Sequence, residues 1–304
     1  MKNAGKAPNG GNGKKKKHRV SNLILVLILL SGVAIAGYPA FSDYWNSMHQ
    51  TRAIAGYAER VAEMTNDEYV TVWEDALDYN RRLASNPNPW AMEDEDIDDY
   101  ERQLNVDGTG NMGFVSIPRI DVNLPVYHGT SEAVLQSSIG HIDGTSLPAG
   151  SVHPDEDDYD KVAFASHSVL SGHRGLPSAK LFSDLDVLEV GDVFYLNVLD
   201  QTLTYQVDKI TVILPEDSSE LAIVPGKDYC TLMTCTPYGI NTHRLLVRGV
   251  RVENDKKLLD VRVTADALKI EPLYVVPFIA GPVLLLMILW VVLFAGKKKK
   301  SRYY

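Results

Sequence analysis

Hydrophobic and polar positions change their spacing several times along this chain. Residues 20–42 and 272–296 carry no charge and are mostly apolar, with Leu23-Ile24-Leu25-Val26-Leu27-Ile28-Leu29-Leu30 at the heart of the first. Each stretch is long enough to span a bilayer as a helix. Between about residues 44 and 84 the apolar positions recur with helical period. Ile54, Ala58, Val61 and Ala62 share one face, and Val72, Ala76, Leu77 and Leu83 follow a capping box at Thr65-Asn66-Asp67-Glu68. This predicts two helices after the first span. Asn86-Pro87-Asn88-Pro89-Trp90 stops helix, and residues 93–101 hold seven acidic side chains in nine positions, which reads as an exposed loop or linker. From Gly113 onward the runs become short and β-rich, at 112–117, 122–127, 161–167, 193–198, 201–213, 229–236 and 244–252. Turn residues separate them, which predicts a closed barrel or sandwich. Residues 179–188 could supply one short helix.

Charge sharpens this organisation. No Asp or Glu occurs before Asp43 or after Glu271, while both ends are rich in Lys. Setting aside the seven basic residues up to Arg19 and the five from Lys297 leaves 18 basic against 39 acidic residues, a charge of −21 for the middle. Such a domain is no nucleic-acid binder. Lys14-Lys15-Lys16-Lys17 before the first span and Lys297-Lys298-Lys299-Lys300 after the second place both termini in the cytoplasm by the positive-inside rule. The domain between is then exported, held at the plasma membrane. The alternative for the first span is a cleavable signal peptide ending near Ala34-Ile35-Ala36, and it too puts the central domain outside.

An exported chain with two cysteines invites a disulfide. Cys230 and Cys235 however lie five residues apart on one predicted strand, so their Cα atoms are about 16 Å apart, beyond the reach of a disulfide. Two free thiols in an oxidising compartment call for a reason, and catalysis is the commonest strong one. Cys235 ends its strand, a turn follows at Thr236-Pro237-Tyr238-Gly239-Ile240-Asn241-Thr242, and Arg244 opens the next strand. A hairpin there sets a thiol beside a guanidinium, which lowers a thiol pKa and can bind an oxyanion. Of the eight His residues His173, between Gly172 and Gly175, is the best placed partner, with His167 and His243 as alternatives.

The stretch Thr231-Leu232-Met233-Thr234-Cys235-Thr236-Pro237-Tyr238-Gly239-Ile240-Asn241-Thr242-His243-Arg244 resembles the signature of class C, or pilin-specific, sortases. A second block, Ser166-His167-Ser168-Val169-Leu170-Ser171-Gly172-His173-Arg174-Gly175-Leu176-Pro177, is similar to the segment that supplies that family's catalytic His. The resemblance implies a mainly β, eight-stranded sortase barrel with N-terminal helices and a lid, flanked by two transmembrane helices. It implies that Cys235 attacks the substrate carbonyl, His173 serves as acid and base, and Arg244 positions substrate and stabilises the oxyanion. It further implies pilin precursors with an LPxTG-like sorting signal as substrates and a pilin Lys as the acceptor. The family's lid carries an Asp-Pro-aromatic triplet, and the nearest match is Asn88-Pro89-Trp90. Here Asn replaces the Asp, so an ion pair with Arg244 would give way to a neutral hydrogen bond.

Taken together, the chain reads as a basic cytoplasmic tail (1–19), a transmembrane helix or signal anchor (20–42), N-terminal helices (43–85), lid and acidic linker (86–110), catalytic barrel (111–255), juxtamembrane segment (256–271), transmembrane helix (272–296) and a second basic cytoplasmic tail (297–304). No cofactor or metal is implied. Residues 152–160 read as an acidic insertion, a solvated loop with calcium binding as its alternative. Other cysteine enzymes fit less well. A cysteine phosphatase spacing would land on Asn241 rather than Arg244, and a papain-like hydrolase carries its Cys before its His. Within the family the alternative is a housekeeping-type sortase attaching proteins to cell-wall peptidoglycan. Outside enzymes it is a non-catalytic surface assembly scaffold.

Overall fold

In the computed structural model the described residues are 12–150, 165–254 and 281, with side chains from residue 24 onward. The juxtamembrane segment, both basic ends beyond these limits, the second span apart from Gly281, and the acidic insertion lie outside the described residues. Helix α1 (Asn12–Ala62) begins within the basic stretch and does not stop at Pro39. Two sequence expectations are thereby corrected. Residues 12–19, whose Gly, Asn and Lys content without apolar periodicity reads as disordered, are instead helical, since Lys is a good helix former and prolongs the helix that the apolar run starts. The first span and the first helix after it are one element, because a single proline removes only one main-chain hydrogen bond where good helix formers flank it. Residues 24–62 of α1 are long and apolar enough to cross a membrane, with a mean hydropathy of 2.3 in the most apolar window. Ala40 and Phe41 mark the boundary between two compact units.

The larger unit begins with the rest of α1, then α2 (Asn66–Ala84) and α3 (Asp94–Arg102). The capping box at the start of α2 forms as expected, Thr65 and Glu68 bonding each other's main chain. Buried Asn80 on α2 bonds the carbonyls of Leu147 and Gly150 and receives the Leu147 amide at 2.6 Å. These bonds fix the helix to the loop before the insertion. The acidic run expected as a loop is instead α3. Its carboxylates crowd the helix start, where the dipole favours them, Glu93 and Asp96 form a reciprocal cap, and Arg82 meets Asp99 at 2.9 Å. Tyr100 then buries its ring and bonds His141.

Eight strands close a barrel in the order β1-β2-β3-β4-β7-β8-β6-β5. They are β1 (Asn111–Ile117), β2 (Val122–His128), β3 (Ile139–His141), β4 (Ser166–Ser171), β5 (Val193–Val198), β6 (Gln201–Ile213), β7 (Asp228–Thr236) and β8 (His243–Val252). A one-turn helix, α4 (Glu132–Leu135), precedes β3. β3 has only three residues, too few for a period, and was not among the predicted runs. The strand before His173 lies later than the run at 161–167 suggested, ending at Ser171. The stretch 179–188 forms turns and a three-residue helical turn (Leu185–Val187) rather than a longer helix. Alternate residues of β7 and β8 enter the barrel interior, where Cys230, Leu232, Leu245 and Val247 join one large apolar cluster. Phe194 and Tyr205 stack there at 5.6 Å over Gly249. A Cβ on Gly249 would come within 2.6 Å of the Phe194 ring, so a side chain at that position would break the packing.

Candidate active site

Strand register assembles the site. β4 and β7 are parallel and pair Ser171 with Met233, and the Gly172 amide donates to the Met233 carbonyl at 3.0 Å. Past the end of β4 the chain runs through Gly172 to His173, two residues beyond the last β4–β7 pair. On the other side antiparallel β8 pairs Arg244 with Cys235, and β6 pairs Ile213 with Arg244. Cys235 and Arg244 therefore stand in one row on adjacent strands, about 4.8 Å apart, and His173 lies on the loop that continues from the neighbouring strand β4. Next to this row, Val169, Ile213, Leu221 and Leu246 with Met233 and Ile142 form a small apolar cluster separate from the barrel interior. By alternation Cys235 and Arg244 project on that same outer face. Cys230, five residues before Cys235, points inward, fully buried, and burial pushes its thiol well above the usual range. Cys235 is partly exposed, and both thiols are free.

The loop bearing His173 is fastened at several points. Thr234 Oγ1 donates to the Gly172 carbonyl at 2.7 Å, and the Phe182 amide donates to the His173 carbonyl at 3.1 Å. Gly172 packs so closely that a Cβ there would meet Ile139 and Phe182 at 2.6 and 2.7 Å. Arg174 pairs with Asp186 and stacks 5.8 Å from the Tyr238 ring, which ties the loop after His173 to the loop after Cys235. Sequence reasoning had assigned nothing to Thr234, Arg174, Asp186 or Tyr238, whose partners lie 12 to 64 positions away.

Arg244 is held by its own hairpin. Its Nη1 donates to the carbonyls of Asn241 at 3.3 Å and His243 at 3.2 Å, and it meets no carboxylate among the described residues. The fork is thus oriented and open to an incoming anion. The expected hydrogen bond from Asn88 is not formed. Asn88 is exposed, and the main chain of Pro89 and the ring of Trp90 lie against Gly144, in the loop between β3 and β4. Trp90 is 44% exposed there. The structure sets Arg244 directly across from Cys235, carries His173 on the loop after β4, and packs Pro89 and Trp90 against Gly144.

The alternative imidazoles are committed elsewhere. His167 donates from Nδ1 to the Ala222 carbonyl at 3.0 Å and accepts at Nε2 from the Thr231 hydroxyl at 2.7 Å, and burial pushes its pKa down to about 4. His243 bonds Thr242 and stands opposite Thr236, off the row. His141, wholly buried, is pushed down to about 3. The His173 ring has no hydrogen-bond partner among the described residues and is partly exposed, free to meet substrate.

The depressed imidazoles of His141 and His167, with His128 also held low by burial, predict acid sensitivity. As pH falls below about 6.5 the unfolded chain takes up protons at positions 141 and 167 that the folded chain refuses. Stability is therefore whole above that pH and lost on the way down, by about 1.4 kcal/mol per pH unit for each imidazole. Carboxylates held low by partners, such as Asp99, add their loss only further down. Urea unfolding at pH 7.0 and 5.0 checks this, and equal midpoints would sink it.

Comparison with known proteins gives concordant matches. The Sortase domain family matches residues 115–252, which contain the whole row. The crystal structure of sortase C1 from Streptococcus agalactiae is 52% identical, with a TM-score of 0.62 over 67% of this chain and 100% of that one. A Streptococcus pneumoniae sortase C, whose structure is described as giving insight into catalysis and pilin substrate specificity, is 40% identical with a TM-score of 0.56, covering 67% of this chain and 97% of that one. Sortase A of Bacillus anthracis is 25% identical over 233 residues, 77% of this chain and 95% of that protein.

Proposed function

The chain belongs to the sortase family, within its class C, and from that membership we propose that this cysteine transpeptidase polymerises pilins outside the plasma membrane. The cross-strand pairing of Cys235 with Arg244, with His173 on the loop that continues from β4, supports the reading. In the first half-reaction Cys235 Sγ attacks the carbonyl carbon between Thr and Gly of an LPxTG-like sorting signal. Arg244 faces the oxyanion, and as the C–N bond breaks His173 gives a proton to the departing Gly amine. A thioester is left on Cys235. In the second half-reaction the amine of a pilin Lys attacks that thioester, His173 takes the proton and the C–S bond breaks. The products are an isopeptide and the restored thiol.

Mass spectrometry tests this. The protein incubated with a sorting-signal peptide should gain the acyl mass on Cys235, and a pilin fragment bearing the acceptor Lys should then remove it as an isopeptide product. Release only by amines of the peptidoglycan type would favour the wall-attaching alternative. A chain that binds the peptide and never acylates would be a scaffold.

Asn88-Pro89-Trp90 is proposed as the lid, with its seat at Gly144 as the withdrawn position. Excursions over the thiol would then slow its modification. Trp90→Ala is expected to speed alkylation of Cys235 by a small thiol reagent severalfold. Equal rates would restrict Trp90 to packing on Gly144.

A further inference from the structure

No strand pairing reaches His173. β4 ends at Ser171, the Gly172 amide makes the next bond to β7 on the Met233 carbonyl at 3.0 Å, and His173 lies one residue beyond it. Where the imidazole stands relative to Cys235 therefore depends on how its loop is held against the turn that follows Cys235.

That turn closes on itself, with the Ile240 and Asn241 amides both donating to the Pro237 carbonyl at 3.0 Å. It also meets all three residues of the site. Cys235 leads into it, the Asn241 carbonyl accepts from Arg244 Nη1, and Tyr238 lies on the loop just past His173. The fit there is close. Gly175 has a left-handed φ of +77°, and a Cβ on it would come within 2.7 Å of the Tyr238 ring, so the absence of a side chain lets the ring settle on the main chain. Beside Gly175 the Arg174 guanidinium sits 5.8 Å from the centre of the same ring, within the range of a cation–π contact.

Packing for stability does not account for this contact. Tyr238 is 63% exposed, so its ring adds little to the core. The Arg174 side chain is nearly buried and pairs with Asp186, yet its Nε has no hydrogen-bond partner among the described residues. A buried donor left without an acceptor costs stability, which points to another use for the residue.

We propose that Tyr238 and Arg174 are positioning residues, a clasp that closes the His173 loop onto the turn between Cys235 and Arg244. Asp186 anchors the guanidinium, the guanidinium and Gly175 seat the ring, and the ring fixes the loop beside the nucleophile. Under the transpeptidase reading, on which this rests, the imidazole then stays within reach of both the departing Gly amine and the attacking Lys amine. A misplacement of about 1 Å is enough to cost such a step on the order of 10²-fold.

The test uses the full chain and compares Tyr238→Ala with Tyr238→Phe. Tyr238→Ala is expected to lower kcat for acylation by a sorting-signal peptide about 10–30-fold, with KM within about twofold of wild type. Tyr238→Phe keeps the ring and should stay within about twofold in both. Adding Arg174→Met to Tyr238→Ala should lower kcat by no more than about a further twofold, because both side chains act through one contact. An unchanged kcat in Tyr238→Ala, a loss shared by Tyr238→Phe, a rise in KM alone, or a further fall of about tenfold in the double variant would each overturn the clasp. Hydrogen exchange supplies a readout independent of turnover. In Tyr238→Ala the Gly175 amide, which donates to Ser183 Oγ, and the Phe182 amide, which donates to the His173 carbonyl, should exchange about tenfold faster, while that of Val247 in β8 keeps its wild-type rate. If the wild-type chain never acylates, the transpeptidase reading fails and exchange decides alone. Unchanged protection at Gly175 and Phe182 would then refute the clasp.

Discussion

Cys235→Ala is expected to abolish the thioester and every high-molecular-weight pilin ladder, a loss on the order of 10⁴-fold or more, because no neighbouring group can replace a covalent nucleophile. The fold should survive. Cys235 is partly exposed on the outer face at the end of β7 and belongs to neither apolar cluster, so its unfolding midpoint should barely move. Cys230→Ala gives the converse result. That thiol is buried among Leu232 and Val247 and points away from substrate, so its removal leaves a small cavity and lowers stability by about 1–2 kcal/mol, while acylation per folded molecule stays at the wild-type level. Intact-mass analysis and thermal unfolding of the pair separate the two roles. Ladders that persist with Cys235→Ala in a strain lacking other sortases would refute the assignment.

The contrast between the two cysteines shows what a sequence can carry. An odd spacing of five on one strand already puts them on opposite faces, and both the strand and its ends were readable because β-branched alternation is a local signal. So were β5 and β6, whose bounds coincide with the predicted runs. Three elements escaped for physical reasons. β3 is held by its neighbours rather than by its own three residues. The strand before His173 lies later than its apolar run suggested, because pairing with β7 sets its end. α3 hides a helix in a run of like charges that makes sense only once Arg82 faces it across a tertiary contact. Cys235 and Arg244 were legible as residue types, with the hairpin visible between them. His173 depended on family resemblance, since its place follows from a parallel register between strands 62 positions apart. Thr234 on Gly172 and Arg174 on Asp186 were beyond reach for the same reason.

The second large effect is expected at Arg244. If its guanidinium meets the developing oxyanion, Arg244→Ala should lower kcat for acylation by about 10²–10³-fold with KM changed little, because the missing contact exists only in the transition state. The geometry favours this outcome over a purely structural role. The fork is restrained by two main-chain carbonyls of its own hairpin, meets no carboxylate among the described residues, and stands directly across from the nucleophile. Arg244→Lys should restore little, since an ammonium on a flexible stem cannot hold both carbonyls and still present a donor at the same point. The unfolding midpoint should stay near wild type in both variants, as the residue is partly exposed and carries no ion pair among the described residues. A rise in KM at constant kcat would instead assign Arg244 to ground-state binding of the sorting signal. Full activity in Arg244→Ala would remove it from the site altogether and leave His173 and Cys235 as a pair.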